Sequence, residues 1–492
     1  MHQQPGPQGP TAPSASPTGP DDTVLGPVGA TAVVGVLAPW LPAQRWYPVK
    51  GVATRVRLVR TVPLGPGVVS LLVAVERADD DGAPVPSAAS PDAPLLHVPV
   101  VVEPAPPDGR TPPGSAVGSL VREGLRYLVH DGARHRAFWA AVLRGARWED
   151  GAGWSPRPGP GGADGPDLTG ARVVAGEQSN TSVVMPQVAG GAILKVLRTV
   201  APGPNPDLDV PRALARAGWH GVPRPLAWWS VDAPASAAQA AELHLAILSE
   251  LVPRADDGFE LACAFAGRAE SFAGHAAALG TLVAQLHAAL RRAYGTGPAV
   301  DGAWLVDDLR ARAVRAVGEA PTLARREAGI AVVHARAEAA LAASGDRHAL
   351  PRLQRIHGDL HLGQVLHGAD GWRVLDFEGE PLRPVAERTR PDLALRDAAG
   401  MLRSFDYAAA VGRAHTSRWA AEARDAFWAA YRAGRGDDPA SPPPGAGAQD
   451  DLLAALELDK ALYEVVYEVR NRPDWVGIPL AGVDRILERA AG

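Results

Sequence analysis

The segment that most restricts the fold is residues 355–379, RIHGDLHLGQVLHGADGWRVLDFEG. It breaks a long stretch of helical periodicity with two short apolar runs, QVLH and WRVLDF, on either side of a turn at Ala369-Asp370-Gly371. From residue 259 onward the remaining pattern is helical. Upstream the order reverses. ARVVAGEQ, TSVVMPQ, AILKVLR, LAWWSV and HLAILSELV read as strands, with one helix near DVPRALARAG. Before these, VATRVRLVRTVPL, VVSLLVAVER and LLHVPVVVE read as half-buried strands, and ARHRAFWAAVLRGARW reads as a helix. The chain is therefore read as α+β. Residues 1–28 are a Pro-, Gly- and Ser-rich stretch too poor in large apolar groups to order itself. Residues 29–150 form a small α+β subdomain, 171–254 a β-rich lobe and 255–492 a helical lobe carrying the inserted hairpin. The Pro/Gly-rich run at 151–170 is the clearest boundary.

The insert carries acidic chemistry at a fixed spacing. Asp359 lies in His357-Gly358-Asp359; Gln364 follows five residues later and Asp376, before Phe377 and Glu378, twelve after that. A protein-kinase catalytic loop uses the same logic. One Asp receives the proton of the acceptor hydroxyl, an amide downstream binds metal, and a second Asp on the next strand binds metal. Hard oxygen donors of this kind suit Mg²⁺, which a polyphosphate donor requires. His357 and His361 have H-x3-H zinc spacing, but the intervening glycine and the absence of an obvious third ligand argue against that use.

The upstream lobe supplies candidate partners for ATP. Ser179, Asn180 and Thr181 sit in GEQSNTS between two strand patterns, where backbone N–H groups can approach phosphates. Lys195 lies inside the apolar run Ile193-Leu194-Lys195-Val196, and burying it demands an anionic partner such as the nucleotide phosphates. Asp209 on the following helix is the candidate carboxylate for it. Glu250 and Val252 end a strand before Pro253, at the place of an adenine-contacting hinge. No lysine is followed by Ser or Thr, which excludes a P-loop.

Near the C-terminus, Lys460, Tyr463, Glu464, Tyr467, Glu468 and Asn471 fall on one stripe of a helix, with Leu462, Val465, Val466 and Val469 opposite. Arg472 and Trp475 follow. Aromatic rings beside charged and amide groups suit a sugar, whose C–H faces stack while its hydroxyls hydrogen-bond. Only three lysines occur, Lys50, Lys195 and Lys460, in a chain with 49 basic residues. Where an arginine would otherwise serve, a retained lysine marks a place for a compact ammonium. Net charge is −5, which argues against a nucleic-acid binder. One cysteine, Cys263, permits no internal disulfide. With no secretory signal pattern and no apolar run long enough for a membrane helix, a cytoplasmic protein is expected.

These strings resemble the maltokinase family, relatives of the aminoglycoside phosphotransferases and other eukaryotic-like kinases. The resemblance rests on QRWYPVKG (44–51), GEQSNTSVV (176–184), ILKVLR, NPDLDVPRAL (205–214), HGDLHLGQVL, VLDFEGEP (374–381), RDAAGMLRSFDYA (396–408) and YEVVYEVRNRPDW (463–475). It implies a bilobal protein-kinase-like fold with an N-terminal cap subdomain, a β-rich intermediate lobe and a helical C-lobe. It also implies ATP-dependent phosphorylation of maltose at the anomeric hydroxyl, giving maltose 1-phosphate for glycogen-type glucan synthesis from trehalose. By that pattern Asp359 is the base, Gln364 and Asp376 hold Mg²⁺, and Lys195 binds ATP phosphates. Lys460, Tyr463, Tyr467, Glu468, Asn471 and Trp475 fall in the maltose-site stretch. A monomer is implied, with trehalose synthase as a partner in trans. The family's Glu after the ATP lysine is Asp209 here, one methylene shorter. A glucosamine or aminoglycoside kinase is the nearest rival; an inactive kinase-fold scaffold is the rival from another class.

Overall fold

A computed structural model describes Leu25 and residues 28–491, apart from 79–92, 108–115, 151–164, 176–178, 234–240, 344–349, 380–387, 389, 417 and 436–445. The disorder expected for residues 1–28 thus falls almost wholly outside the described residues, as do most of the Pro/Gly boundary at 151–170 and Gly176-Glu177-Gln178. The described residues form two compact units, one from Met1–Gly203 with Leu226–Leu248, the other from Pro204–Pro225 with Ser249–Gly492.

The first unit holds two sheets. Strands β1 (Thr54–Gly65), β2 (Val68–Arg77), β3 (Leu95–Pro104), β4 (Gly118–Arg122) and β5 (Leu125–Asp131) run in the order β1-β2-β3-β5-β4. Helix α1 (Ala30–Leu37) packs on β1 and β4, and α2 (Arg136–Gly145) packs on β1, β2 and β3. β2 and β3 are buried almost throughout rather than half-buried as their sequences suggest. The pleat explains this. Val69, Leu71, Val73 and Val75 join one core with α1, while the alternate residues turn to the other face. There His97 bonds Ser70 and sits against Phe138 of α2. The β4–β5 hairpin has a two-residue turn with both central residues at positive φ, Glu123 at 51° and Gly124 at 77°.

The second sheet runs β6-β11-β12-β9-β8-β7, built from Arg147–Trp148 (β6), Arg172–Val173 (β7), Thr181–Met185 (β8), Ala192–Val196 (β9), Pro225–Asp232 (β11) and Glu242–Glu250 (β12). The short strand β10 (Thr199–Val200) leaves it to pair with β3. Arg198, just before β10, is 1% exposed and joins the two sheets. Its Nη2 donates to Asp131 at 2.6 Å, its Nε to Thr181 Oγ1 at 3.1 Å, and its backbone N–H to Asn180 Oδ1 at 3.2 Å. The guanidinium also stacks 4.6 Å from the Trp46 ring centroid.

The second unit is mostly helical. It contains α3 (Pro206–Arg216), α4 (Gly258–Gly267), α5 (Ala273–Tyr294), α6 (Gly302–Glu319), α7 (Glu327–Ala342), α8 (Leu395–Val411), α9 (Arg418–Arg435), α10 (Ala446–Asn471) and α11 (Gly477–Ala491). Helix α3, which the sequence order places inside the β-rich span 171–254, belongs to this unit. One hydrophobic core runs through it from Val210 to Ile486, with Leu286, Phe405, Phe427 and Leu456 among its members. The expected insert is present. β16 (Val365–Gly368) pairs antiparallel with β17 (Gly371–Val374), and β13 (Asp256–Asp257) pairs with β16; a separate pair, β14 (Thr296–Ala299) and β15 (Arg352–Gln354), lies upstream. Among the described residues no helix is long and apolar enough to cross a membrane.

Candidate active site

The loop from His357 to Gln364 owes its shape to one buried carboxylate. Asp397, in the first turn of α8, is 1% exposed. Its Oδ2 accepts the His357 N–H at 2.8 Å and His287 Nε2 at 3.0 Å; its Oδ1 accepts the Gly358 N–H at 2.9 Å. Burial alone would raise this carboxyl, but the His287 and backbone hydrogen bonds hold it below the ordinary carboxylate range. His287, in α5, completes a chain. With Nε2–H given to Asp397, its Nδ1 accepts from the Tyr431 hydroxyl at 2.9 Å. Burial pushes this imidazole below its ordinary value, so it stays neutral. Gly358 has φ +90°, a conformation only glycine adopts at little cost, and this turns Asp359 away from the buried anchor. At Gly400 of α8 an added Cβ would lie 2.5 Å from the Leu360 carbonyl oxygen, so the helix backbone runs close against the loop.

His357 ties the loop to the second acidic motif. Its Nε2 donates to the Leu375 carbonyl at 2.7 Å while its Nδ1 accepts the Asp359 N–H at 3.3 Å. The Leu375 N–H donates to the Gln364 carbonyl at 2.9 Å. Asp359, Gln364 and Asp376 are thereby locked into one local frame. His361 accepts the Gly363 N–H through Nδ1. Burial pushes His361 down, against the opposite pull of Asp359 and Asp376, with Lys460 and His357 adding to the depression. Both imidazoles of the H-x3-H spacing thus serve loop backbone, and zinc has no place in this arrangement.

Asp376 itself adopts φ +59°, a left-handed conformation that costs a non-glycine residue about 1 kcal/mol. Its carboxylate, that of Glu378 and that of Asp207 each place an oxygen within 4.8 Å of the others. Asp207 comes from the first turn of α3, where Asn205 caps its N–H at 2.9 Å. Three carboxylates form a hard-oxygen donor set that fits Mg²⁺. Sequence reasoning identified Asp376 but missed Asp207, whose motif NPDLDV drew attention to Asp209 instead. Asp209 lies near Tyr294 and Arg355 of its own unit and bears on both.

Asp359 opens into a cleft that Leu360, Arg388, Arg396, Lys460 and Tyr463 also line. Lys460 of α10 donates to Asp359 Oδ1 at 3.0 Å, and its Nζ lies 4.8 Å from the Tyr463 ring centroid. Of the six sugar-site candidates, Lys460 and Tyr463 line this cleft. The others gather around Arg472. The guanidinium of Arg472 lies 5.5 Å from the Tyr467 ring and 4.5 Å from the Trp475 ring, and it grips Glu468 through two nitrogens at 2.6 and 2.8 Å. Glu468, expected on a sugar-facing stripe, is 1% exposed and also accepts from the Tyr407 hydroxyl. Asn471 Nδ2 donates to the Tyr467 carbonyl at 2.9 Å. Conversely, Val469, expected on the apolar side, is exposed. The cause is that α6, α7, α8 and α11 all pack on α10, so no single face of it remains polar. Glu464 is likewise engaged by Arg403, and Glu457 by Arg424 and Arg489.

In the first unit, Lys195 lies on β9, paired with Ser182 and flanked by β8 and β12. It is therefore on an interior strand and not at an edge. Asn180 and Thr181 are buried, and their side chains meet Arg198. Ser179 is exposed beside Asn180. In the second unit, Glu250 ends β12 with its N–H on the Arg224 carbonyl. Val252 packs on the hairpin, where a Cβ at Gly368 would meet it at 2.7 Å. Lys50, whose role the sequence leaves open, donates to the carbonyls of Pro42 and Gln44 and pins the turn after α1.

The chain has relatives among known proteins. A family model of the maltokinase N-terminal cap domain matches residues 40–134. A glucosamine kinase of Mycolicibacterium smegmatis is 30% identical over 341 residues, covering 65% of this chain and 80% of that protein. A glucosamine kinase of Streptacidiphilus jiangxiensis is 32% identical over 352 residues, covering 65% and 75%. Among solved structures, a glucosamine kinase in complex with glucosamine, ADP and inorganic phosphate matches with a TM-score of 0.58 at 24% identity, over 93% of this chain and 99% of that one.

Proposed function

The chain belongs to the maltokinase-like sugar kinases of the aminoglycoside-phosphotransferase type, and from that premise we propose that it transfers the γ-phosphoryl group of ATP to the anomeric hydroxyl of maltose. The products are maltose 1-phosphate and ADP. The observation that carries this reading is Asp359 sharing a cleft with Lys460 and Tyr463, in the second half of α10, where the resemblance to the maltose-site stretch begins.

Asp359 orients the C1 hydroxyl and takes its proton as the oxygen–phosphorus bond forms. Asp397, His287 and Tyr431 hold the loop so that this carboxylate needs little reorganisation. Tyr463 stacks on a sugar C–H face, and Lys460 meets hydroxyl oxygens. Tyr467 and Trp475 offer a second aromatic wall, which Glu468 and Asn471 hold in place through Arg472 and the Tyr467 carbonyl. Lys195 meets ATP phosphates, the backbone at Ser179, Asn180 and Thr181 approaches them, and Glu250 and Val252 meet adenine. Asp376 and Gln364 would hold Mg²⁺, with Glu378 and Asp207 beside Asp376, and the ion would supply neutralisation of charge on the donor phosphates.

A coupled ADP-release assay across maltose, glucose, glucosamine and kanamycin tests this. Maltose is expected to lead in kcat/KM by about 100-fold, equivalent to roughly 2.7 kcal/mol of transition-state discrimination. Glucosamine in first place would install the second reading, a glucosamine kinase, which the names of the two relatives favour. ATP binding without turnover on any sugar would leave a scaffold.

A further inference from the structure

The charge arrangement around Asp359 bears on which sugars the cleft accepts. Lys460 and Asp359 are each 17% exposed and lie 3.0 Å apart. Asp459 is held by Arg312 at 2.9 Å and Arg396 at 2.7 Å, and Arg396 also reaches Asp392 at 2.8 Å. Asp397 is given to His287 and two loop N–H groups. Among the described residues lining the cleft, each carboxylate already meets a cation or an N–H donor. Among those described residues the cations Arg312, Arg388, Arg390, Arg396 and Lys460 outnumber the four carboxylates.

We propose that Lys460 makes the acceptor cleft selective for uncharged sugars, by fixing a positive charge on the carboxylate that receives the acceptor. This deepens the sugar-kinase reading and rests on Asp359 facing the acceptor. The chemistry is a matter of donors and acceptors. An ammonium has three donors and no acceptor. A sugar hydroxyl entering between Lys460 and Asp359 accepts from the first and donates to the second, so the ion pair opens without losing a partner. A sugar ammonium donates only. It competes with Lys460 for the one carboxylate and places two cations side by side in a partly desolvated cleft, where screening is weak. Asp459 is held by Arg312 and Arg396, and Glu464, which also feels the Lys460 charge, is held by Arg403, so neither offers relief.

Glucose and glucosamine differ at one ring position, hydroxyl against ammonium, and make the direct probe. Calorimetric dissociation constants are measured on the full chain with a non-hydrolysable ATP analogue at about pH 6, where an amine keeps its proton. Glucosamine is expected to bind at least about 10-fold more weakly than glucose. Lys460→Met should bring the two within about 2-fold, mainly by improving glucosamine, while Lys460→Arg keeps the order because it keeps the charge. Equal or tighter binding of glucosamine by the native chain overturns the proposal, as does binding of neither sugar. An unchanged ratio in Lys460→Met overturns it too. Should Lys460→Met fail to fold, the native ratio and Lys460→Arg still decide. The two readings fail separately. Turnover of a neutral sugar other than maltose, with glucosamine excluded, overturns maltose alone. Turnover of maltose with glucosamine binding as well as glucose overturns the charge filter alone.

Discussion

One buried charged side chain in each unit invites comparison, because the two bind differently. In the first, Arg198 gathers side chains: Asp131, Thr181, Asn180 and the face of Trp46. In the second, Asp397 gathers backbone: the N–H groups of His357 and Gly358, backed by His287 and Tyr431. A guanidinium that ties side chains together fixes how sheets pack. A carboxylate that ties loop amides together fixes where a catalytic group points. The difference teaches that equal burial need not mean equal function; what the buried charge binds decides what its loss does.

Four measurements break or sharpen that contrast. Asp359→Asn sets the scale, with kcat expected to fall about 10³–10⁴-fold while ATP still binds. Single-turnover kinetics with a nucleotide-binding control read this, and near-native turnover would remove Asp359 as base. Asp397→Ala comes next, with kcat down about 10²–10³-fold at temperatures where circular dichroism shows a folded chain. Asp397→Asn should recover much of the loss, since its carbonyl can take a loop N–H and His287 can switch tautomer toward Tyr431. An Asn variant as poor as Ala would mean that charge, and not loop geometry, is what matters.

Arg198→Met should instead appear in urea unfolding, at a cost of roughly 3–5 kcal/mol, because the mostly buried Asp131 loses its guanidinium partner. A loss of kcat larger than the loss of folded fraction would erase the contrast. The smallest effect is in acid. Burial pushes His97 down to about 3. Its folded value lies below that of the unfolded chain, about 6.5, so its stabilisation is complete above that pH. It is then lost progressively as pH falls toward 3, with roughly 2–3 kcal/mol of the loss falling between about pH 6 and 4. His97→Gln should flatten this part of the pH–stability curve; an unchanged slope between about pH 6 and 4 would assign it elsewhere.

What the sequence disclosed and what it hid divide along a physical line. The hairpin insert, the loop spacing of Asp359, Gln364 and Asp376, and the apolar strand around Lys195 are local patterns. Periodicity and turn chemistry reveal such patterns directly. The contact between Lys460 and Asp359 spans 101 positions and that between Asp397 and His357 spans 40. Asp397 lies inside the recognisable string RDAAGMLRSFDYA, yet nothing local says that its carboxylate serves a loop so far upstream. Asp207 was overshadowed by Asp209 for the same reason. The double burial of β2 and β3 needed knowledge that α1 and α2 cover opposite faces. The β4–β5 hairpin did carry a local signal, the Glu123-Gly124 pair, in a run otherwise too polar to stand out as strands.

The scarcity of lysine turns the protein into a three-point target for amine chemistry. Acylating reagents find three ε-amino groups: one on an exposed turn, one on an interior strand, and one in contact with an acidic side chain at the floor of a cleft. Peptide mapping of the reaction rates therefore reads out three separate places at once, and protection of the third by an added sugar would be visible without any turnover at all.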